Sequence, residues 1–242
     1  QGVLVAEQMS GPRTSTRHIP YTPEQLAAEA LACRSAGATA VHIHVRDDQL
    51  MESFSARHVD DVLDAIRTYS SGLPVSLTTG AWIVADPDER LETITSWRSL
   101  PDSASVNWHE PGAARVADAL LDRGVGVEAG LWNERAIEQW TRWPRRAECA
   151  RALLELPGGL DPHEVRDRIS HMHRLVAERA PEVPVQAHGE EDTTWAALDH
   201  AMALGVEARI GFEDTLTMPS GTAARSNADL VTAALTRHEG WC

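Results

Sequence analysis

Positive charge is scarce in this chain. Its 242 residues carry 22 Lys plus Arg against 36 Asp plus Glu, a formal net charge of −14 at pH 7, and no basic block stands anywhere along it. Displacing counterions from phosphates takes clustered cations, so nucleic acid is not an expected partner. A locally positive pocket for a small anion stays open. Long hydrophobic runs are also missing: none nears the roughly 18 residues of a membrane span, so no membrane is expected as a partner. No basic segment followed by an apolar stretch stands at the start, and no secretory signal is expected. The three cysteines, Cys33, Cys149 and Cys242, lack C-x-x-C spacing and read as reduced thiols. Together these absences point to a cytoplasmic protein. Phe and Tyr number two each, against eight Trp.

What is present is alternation. Short apolar runs occur at 3–8, 40–45, 74–79, 104–108, 126–131, 149–156, 183–188 and 208–212. Amphipathic segments lie between them at 23–36, 56–69, 87–97, 113–123, 134–143, 162–180, 194–204 and 227–238. Helix starts are marked by Thr22-Pro23-Glu24 and Asp161-Pro162-His163-Glu164, and stops by Gly37, Gly124 and Gly205. Eight strand–helix units in this length predict an α/β fold, a parallel eight-stranded (β/α)8 TIM barrel forming a single domain over 1–242. An open doubly wound sheet is the competitor, but it would carry a glycine-rich phosphate turn after the first strand, and none is there.

In the second run, Ala40-Val41-His42-Ile43-His44-Val45-Arg46-Asp47, the two histidines fall on one strand face and Val41, Ile43 and Val45 on the other. Two readings of the pair stay open: two legs of a divalent-metal tripod, or a hydrogen-bonded strand end. Barrel chemistry sits at the C-terminal ends of strands, and those ends are polar here. They carry Thr78-Thr79-Gly80, Ser105 with Asn107, His109 and Glu110, Glu128, His188 with Glu190, and Arg209 with Glu213 and Asp214. Strands two and eight are two apart around a closed barrel, so Glu213 could complete a His, His, Glu set with an open position, or remain a solvated carboxylate.

The order of P-Y-T-P-E, A-G-A-x-x-V-H-I-H-V-R-D, T-T-G-A, S-V-N and R-I-G-F-E-D-T-L resembles the β-keto acid cleavage enzymes, whose founding member splits 3-keto-5-aminohexanoate. Gly80-Ala81-Trp82 after the third strand is similar to their shorter branch. The resemblance implies a divalent metal, usually Zn2+, on His42, His44 and Glu213. It implies a catalytic trio of Asp214, Arg209 and Thr78, the last often Ser in the family, with Asp214 as base. Ser105, Asn107, Glu128 and Gly80 would contact substrate. Where the founding activity has a T-G-A-E segment whose Glu meets the substrate amine, this chain has Ser10-Gly11-Pro12-Arg13. Arg13 would repel an amine and welcome a carboxylate or polar oxygen, or stand as a surface loop residue.

The implied reaction is a reversible retro-Claisen exchange. A β-keto acid and acetyl-CoA as co-substrate give acetoacetate and a new acyl-CoA. The family also implies a homo-oligomer, a tetramer. Rival readings are a zinc-dependent hydrolase or a CoA-independent aldolase on the same metal tripod, and a non-catalytic ligand-sensing barrel. Several side chains carry plainer expectations. A buried Glu128 would need a partner, and Arg46 or Arg209 could serve. Trp82 and Trp108 could wall the pocket. The arginines at 142–146 could receive CoA phosphates or form a solvated helix end, and His188 and Glu190 could touch the ligand or the residues behind it, or stand as a hydrogen-bonded strand terminus.

Overall fold

The computed structural model describes residues 4–7 and 19–238, with side chains over 19–237; Arg13 and Cys242 lie outside the described residues. Strands and helices alternate: β1 (Leu4–Glu7), α1 (Pro23–Ser35), β2 (Ala40–Ile43), α2 (Ala56–Tyr69), β3 (Val75–Thr78), α3 (Pro87–Thr95), β4 (Ser103–Asn107), α4 (Ala113–Asp122) and β5 (Gly126–Leu131). They continue as α5 (Glu134–Arg142), β6 (Arg151–Leu156), α6 (Pro162–Arg179), β7 (Val185–Gly189), α7 (Thr194–Leu204), β8 (Glu207–Gly211) and α8 (Asn227–His238). Two short 3-10 turns, Arg146–Glu148 and Glu191–Thr193, sit before β6 and α7.

The helices begin where local chemistry satisfies their first amides. Thr22 caps α1 in a reciprocal box with Gln25 ahead of Pro23, and Asp161 does the same for α6 with Glu164 ahead of Pro162. Asp86 and Asn133 cap α3 and α5 through their side chains. The helix α7 stops at Gly205, whose φ of 72° costs a residue without Cβ little.

Strands β2 to β8 form a curled, all-parallel sheet in sequence order, with the helices outside. The backbone of β1 pairs in parallel with β2 at Val5 opposite Ala40 and with β8 at Leu4 opposite Ala208, which closes the strand order. Both faces of these strands are covered, so Val41, Leu77, Val106, Val127, Leu154 and Ile210 join the helix-borne Leu63, Val116, Ile137 and Val231 in one apolar core. Burying that face repays the polar residues kept at the strand ends. Trp97, Trp140 and Trp143 belong to the core, with Trp140 Nε1 on Cys149 Sγ at 3.4 Å. Trp108 packs on Trp143 at 5.1 Å between ring centres and is buried in the core, not on a pocket wall. No described helix is long and apolar enough to cross a membrane.

Candidate metal centre and active site

The strand β2 runs out at Ile43, and the chain turns through Asp47–Leu50 before Arg46 bridges back to Glu52. Leu50 adopts φ 65°, a strained value for a branched residue, and Arg46 Nη1 holds its carbonyl at 2.8 Å. The guanidinium of Arg46 also lies over the Tyr21 ring at 5.3 Å. This tight loop delivers Glu52 to the histidine pair.

His42 and His44 project together, ring centres 5.3 Å apart. Each has its Nδ1 engaged and its Nε2 left for something else. Ser76 gives its hydroxyl proton to Glu128 at 2.7 Å, so its oxygen accepts from His42 Nδ1 at 3.1 Å. Glu52 Oε1, which can only accept, takes the proton of His44 Nδ1 at 2.6 Å. This assignment of tautomers follows from the network. His44 Nε2 meets Glu213 Oε2 at 3.0 Å; both atoms are buried, and neither makes a hydrogen bond of good geometry.

Ligand atoms of His42, His44 and Glu213 all lie within 4.8 Å of one another. Donors around a tetrahedral zinc, each about 2.0–2.1 Å from it, stand roughly 3.4 Å apart. The donor set, the bare Nε2 atoms and the carboxylates or hydroxyls behind them fit a divalent cation.

Electrostatics agree. Burial pulls His42 down to about 4, against the attraction of Glu213, so its ring is neutral at pH 7. Burial also opposes charge on His44, but Glu213 and Glu52 outweigh it and raise His44 to about 9. Burial works against ionised Glu213 too, and His44 and Arg209 overcome it, holding its carboxyl well below the usual range. Without a cation, the pair of His44 and Glu213 thus favours a protonated imidazole beside an ionised carboxylate.

These residues form part of a cavity of about 450 Å³ at the C-terminal ends of the strands. Thr78, Ser105, Asn107 and Arg209 line it, as do Glu155, Glu190, Trp82 and Trp132. Trp82 is 54% exposed, stacks on His44 at 6.0 Å and donates Nε1 to Glu52 Oε2 at 2.6 Å. Gly80 is hidden beneath that indole, which occupies the place a Cβ would need. Thr78 Oγ1 accepts from Gly80 N at 3.2 Å. Asn107 is held by Glu110 at 3.1 Å and by Trp132 Nε1 at 3.2 Å. Gly130 gives Asn107 and Glu155 their space, since a Cβ there would strike both.

The expectation for Glu128 is altered. Glu128 does not line the cavity. Register sets it opposite Arg151, which pairs with it, and Ser76 and Ser103 donate to it at 2.7 and 2.9 Å; Arg46 and Arg209 are not the partners that satisfy it. Arg151 also reaches Glu207 at 2.7 Å, so a buried polar chain runs from His42 through Ser76, Glu128 and Arg151 to the N-terminal end of β8. Asp214 is fully buried behind the cavity, with Oδ1 on His188 Nδ1 at 2.8 Å and Oδ2 without a hydrogen bond. Arg209 forms its ion pair with Glu213 at 3.4 Å. Among the arginines at 142–146, Arg145 is taken up by Asp122 and Glu148, and Arg142 by Glu138.

His188 is hydrogen-bonded near the end of β7. It stands between Asp214 and Glu155, the latter 3.4 Å from Nε2; burial opposes its charge, but the two carboxylates raise it well above the ordinary imidazole value. Glu52, Glu155 and Trp132 had no place in the sequence reading. A charged residue inside the apolar run Ala152-Leu153-Leu154-Glu155-Leu156 was the available signal for one of them.

Comparison with known proteins agrees with this frame. The chain is 24% identical over 248 residues to the 3-keto-5-aminohexanoate cleavage enzyme of Acetoanaerobium sticklandii, covering 95% of this chain and 89% of that one. It is 37% identical over 70 residues, 28% of this chain and 23% of the other, to the 3-dehydrocarnitine:acetyl-CoA trimethylamine transferase of Rhizobium meliloti. Among solved structures, the complex of ObcA with oxaloacetate shares the fold, with TM-score 0.71 and 18% identity over 93% of this chain; the chain spans 64% of that protein's length. Residues 4–239 match the family described as beta-keto acid cleavage enzyme, and to that family the chain belongs.

Proposed function

We propose that this protein is a metal-dependent β-keto acid cleavage enzyme working as one (β/α)8 barrel domain, exchanging a β-keto acid with acetyl-CoA to give acetoacetate and an acyl-CoA. One observation carries the reading: ligand atoms of His42, His44 and Glu213 converge at the cavity, with His44 Nε2 and Glu213 Oε2 unsatisfied and facing one another, in a chain of this family. A Zn2+ or similar divalent ion held there would supply Lewis acidity toward the keto oxygen.

The chain's own groups have separate tasks. Arg209, on the cavity wall, would bind the substrate carboxylate while steadying Glu213. Asp214 is the proposed base, with its buried Oδ2 as the atom that accepts a proton and His188 orienting the carboxylate through Oδ1. Thr78 offers a hydroxyl on the cavity wall, and Ser105 and Asn107 would position the substrate. Glu128 acts behind His42 in this scheme, through Ser76. Gly80 serves by admitting Trp82. Arg13 is proposed to approach the substrate from the segment after β1, and assembly is proposed as a homo-oligomer.

The rival with a specific basis is a metal-dependent lyase or hydrolase that ignores the thioester, since the same tripod would serve it. A lyase working through a Schiff base is set aside, because it needs a lysine amine and the sequence contains none. Metal analysis followed by incubation with a panel of β-keto acids, with and without acetyl-CoA, tests the proposal. Acyl-CoA formation that requires metal is expected; cleavage indifferent to the thioester would favour the rival.

A further inference from the structure

Asn107, at the end of β4, lines the cavity with both ends of its amide engaged. Its Nδ2 donates to Glu110 Oε1 at 3.1 Å, and its Oδ1 accepts from Trp132 Nε1 at 3.2 Å. An indole N–H can only donate, and a carboxylate ringed by donors can only accept, so these two partners fix which end of the amide is which. The oxygen lies on the β5 side, where Gly130 leaves room for it. The second N–H of Nδ2 meets no acceptor among the described residues.

The place of Glu110 is set from behind. Its backbone N–H closes a turn on the Asn107 carbonyl at 3.1 Å, which folds its side chain back toward that residue. Its Oε2 accepts from Ala81 N at 3.0 Å, in the loop after β3, and from Arg90 Nη1 on α3 at 3.1 Å. Arg90 is 1% exposed, does not line the cavity, and gives its Nη2 to the Pro111 carbonyl. A buried guanidinium is costly to leave unpaired. Oε2 is therefore committed to Arg90 and Ala81, and Oε1 alone faces Asn107.

We propose that Glu110, anchored by Arg90, is a positioning residue that sets the polarity of Asn107, so that the amide turns an N–H and not a carbonyl toward the substrate. The keto and carboxylate oxygens of a β-keto acid are acceptors and need such a donor. That last step rests on the β-keto acid reading above; the polarity of the amide does not.

Glu110→Gln keeps the shape and reverses the logic. Arg90 and Ala81 hold the carbonyl of the new side chain, so its NH2 group faces Asn107. Asn107 must then turn its carbonyl toward position 110 and its NH2 toward Trp132, donor against donor. Adding Asn107→Asp relieves that clash, because a carboxylate accepts from both sides.

The readout is the Trp132 indole N–H in 1H–15N spectra of the protein with Zn2+ added, identified by its loss in Trp132→Phe. Titration calorimetry with a β-keto acid, without acetyl-CoA, measures binding beside it. In Glu110→Gln the indole signal should move upfield and exchange faster with water, and the acid should bind about tenfold more weakly. In the double variant the indole signal should return to its parent position while binding stays weak, since an acceptor now faces the substrate. A general loss of structure would not restore the one and withhold the other. An unchanged indole signal in Glu110→Gln overturns the proposal, as does parent-like binding by the double variant. If Glu110→Gln fails to fold, the double variant decides alone: a displaced indole signal there overturns the proposal, and a parent-like signal with weak binding supports it. Indole responses as described in a protein that binds no β-keto acid would overturn the substrate reading and support the role of Glu110.

Discussion

Glu52 Oε1 lies 2.6 Å from His44 Nδ1, and its other oxygen accepts from Trp82 Nε1 at the same distance. The carboxylate thus fixes both the imidazole and the indole stacked on it. A carboxylate behind a ligating histidine sets its tautomer and raises its donor strength. Glu52→Gln keeps the shape but loses the charge. We expect metal affinity to fall about 10- to 100-fold, read by competition against a chromophoric chelator. Unchanged affinity would mean that Glu52 merely closes the loop.

The ligand set itself predicts a sharper result. His42→Ala or His44→Ala should bring bound metal to background while far-UV circular dichroism stays that of the parent. Full metal content in either variant, measured by elemental analysis, would remove the proposed tripod.

Acidity should act in opposite directions on the two forms. His44 has its pKa raised to about 9 in the metal-free protein by Glu213 and Glu52, so that protonation stabilises the fold fully below about 6.5, its unfolded value, and the contribution fades as pH rises toward 9. Metal must displace this proton, so its affinity should climb over the same interval. Thermal melts from pH 6 to pH 9 should therefore show Tm falling in chelator and the metal-induced gain in Tm growing. A metal-induced gain that shrinks with rising pH would contradict the assignment.

Arg151 supports a buried carboxylate that the cavity does not touch. Arg151→Met leaves Glu128 without its cation, and breaking a buried pair in this way costs about 3–5 kcal/mol. Ser76 and Ser103 still donate to Glu128, which puts the expectation near 3 kcal/mol. Urea unfolding of metal-free protein measures it; a loss under about 1 kcal/mol would mean the serines suffice.

Much of the architecture was legible because its signals are local. Thr22-Pro23 and Asp161-Pro162 announce helices that begin where their caps stand, and Gly205 ends one at its αL position. Boundaries moved by a residue or two where frayed ends lack such marks, as at Cys149, where a 3-10 turn delays β6 until Arg151. The metal candidates were readable from period-two spacing in β2 and from the end of β8. Glu52 was not, because it arrives on a loop whose path depends on the strained Leu50 and on Arg46. Glu128 illustrates the limit of reading height along a strand. Its neighbour on β6, invisible in a one-dimensional pattern, decides that it faces Arg151.

The ladder of hydroxyl, carboxylate and guanidinium beneath His42 ties the mouth of the cavity to the opposite pole of the molecule. Replacements at Arg151 or Glu207 chosen to toughen the protein would alter how firmly Ser76 grips the imidazole above, and with it the hold of the proposed tripod on a divalent ion. Residues at that remote pole, usually left to stability engineering, become on the proposed reading instruments for tuning metal loading.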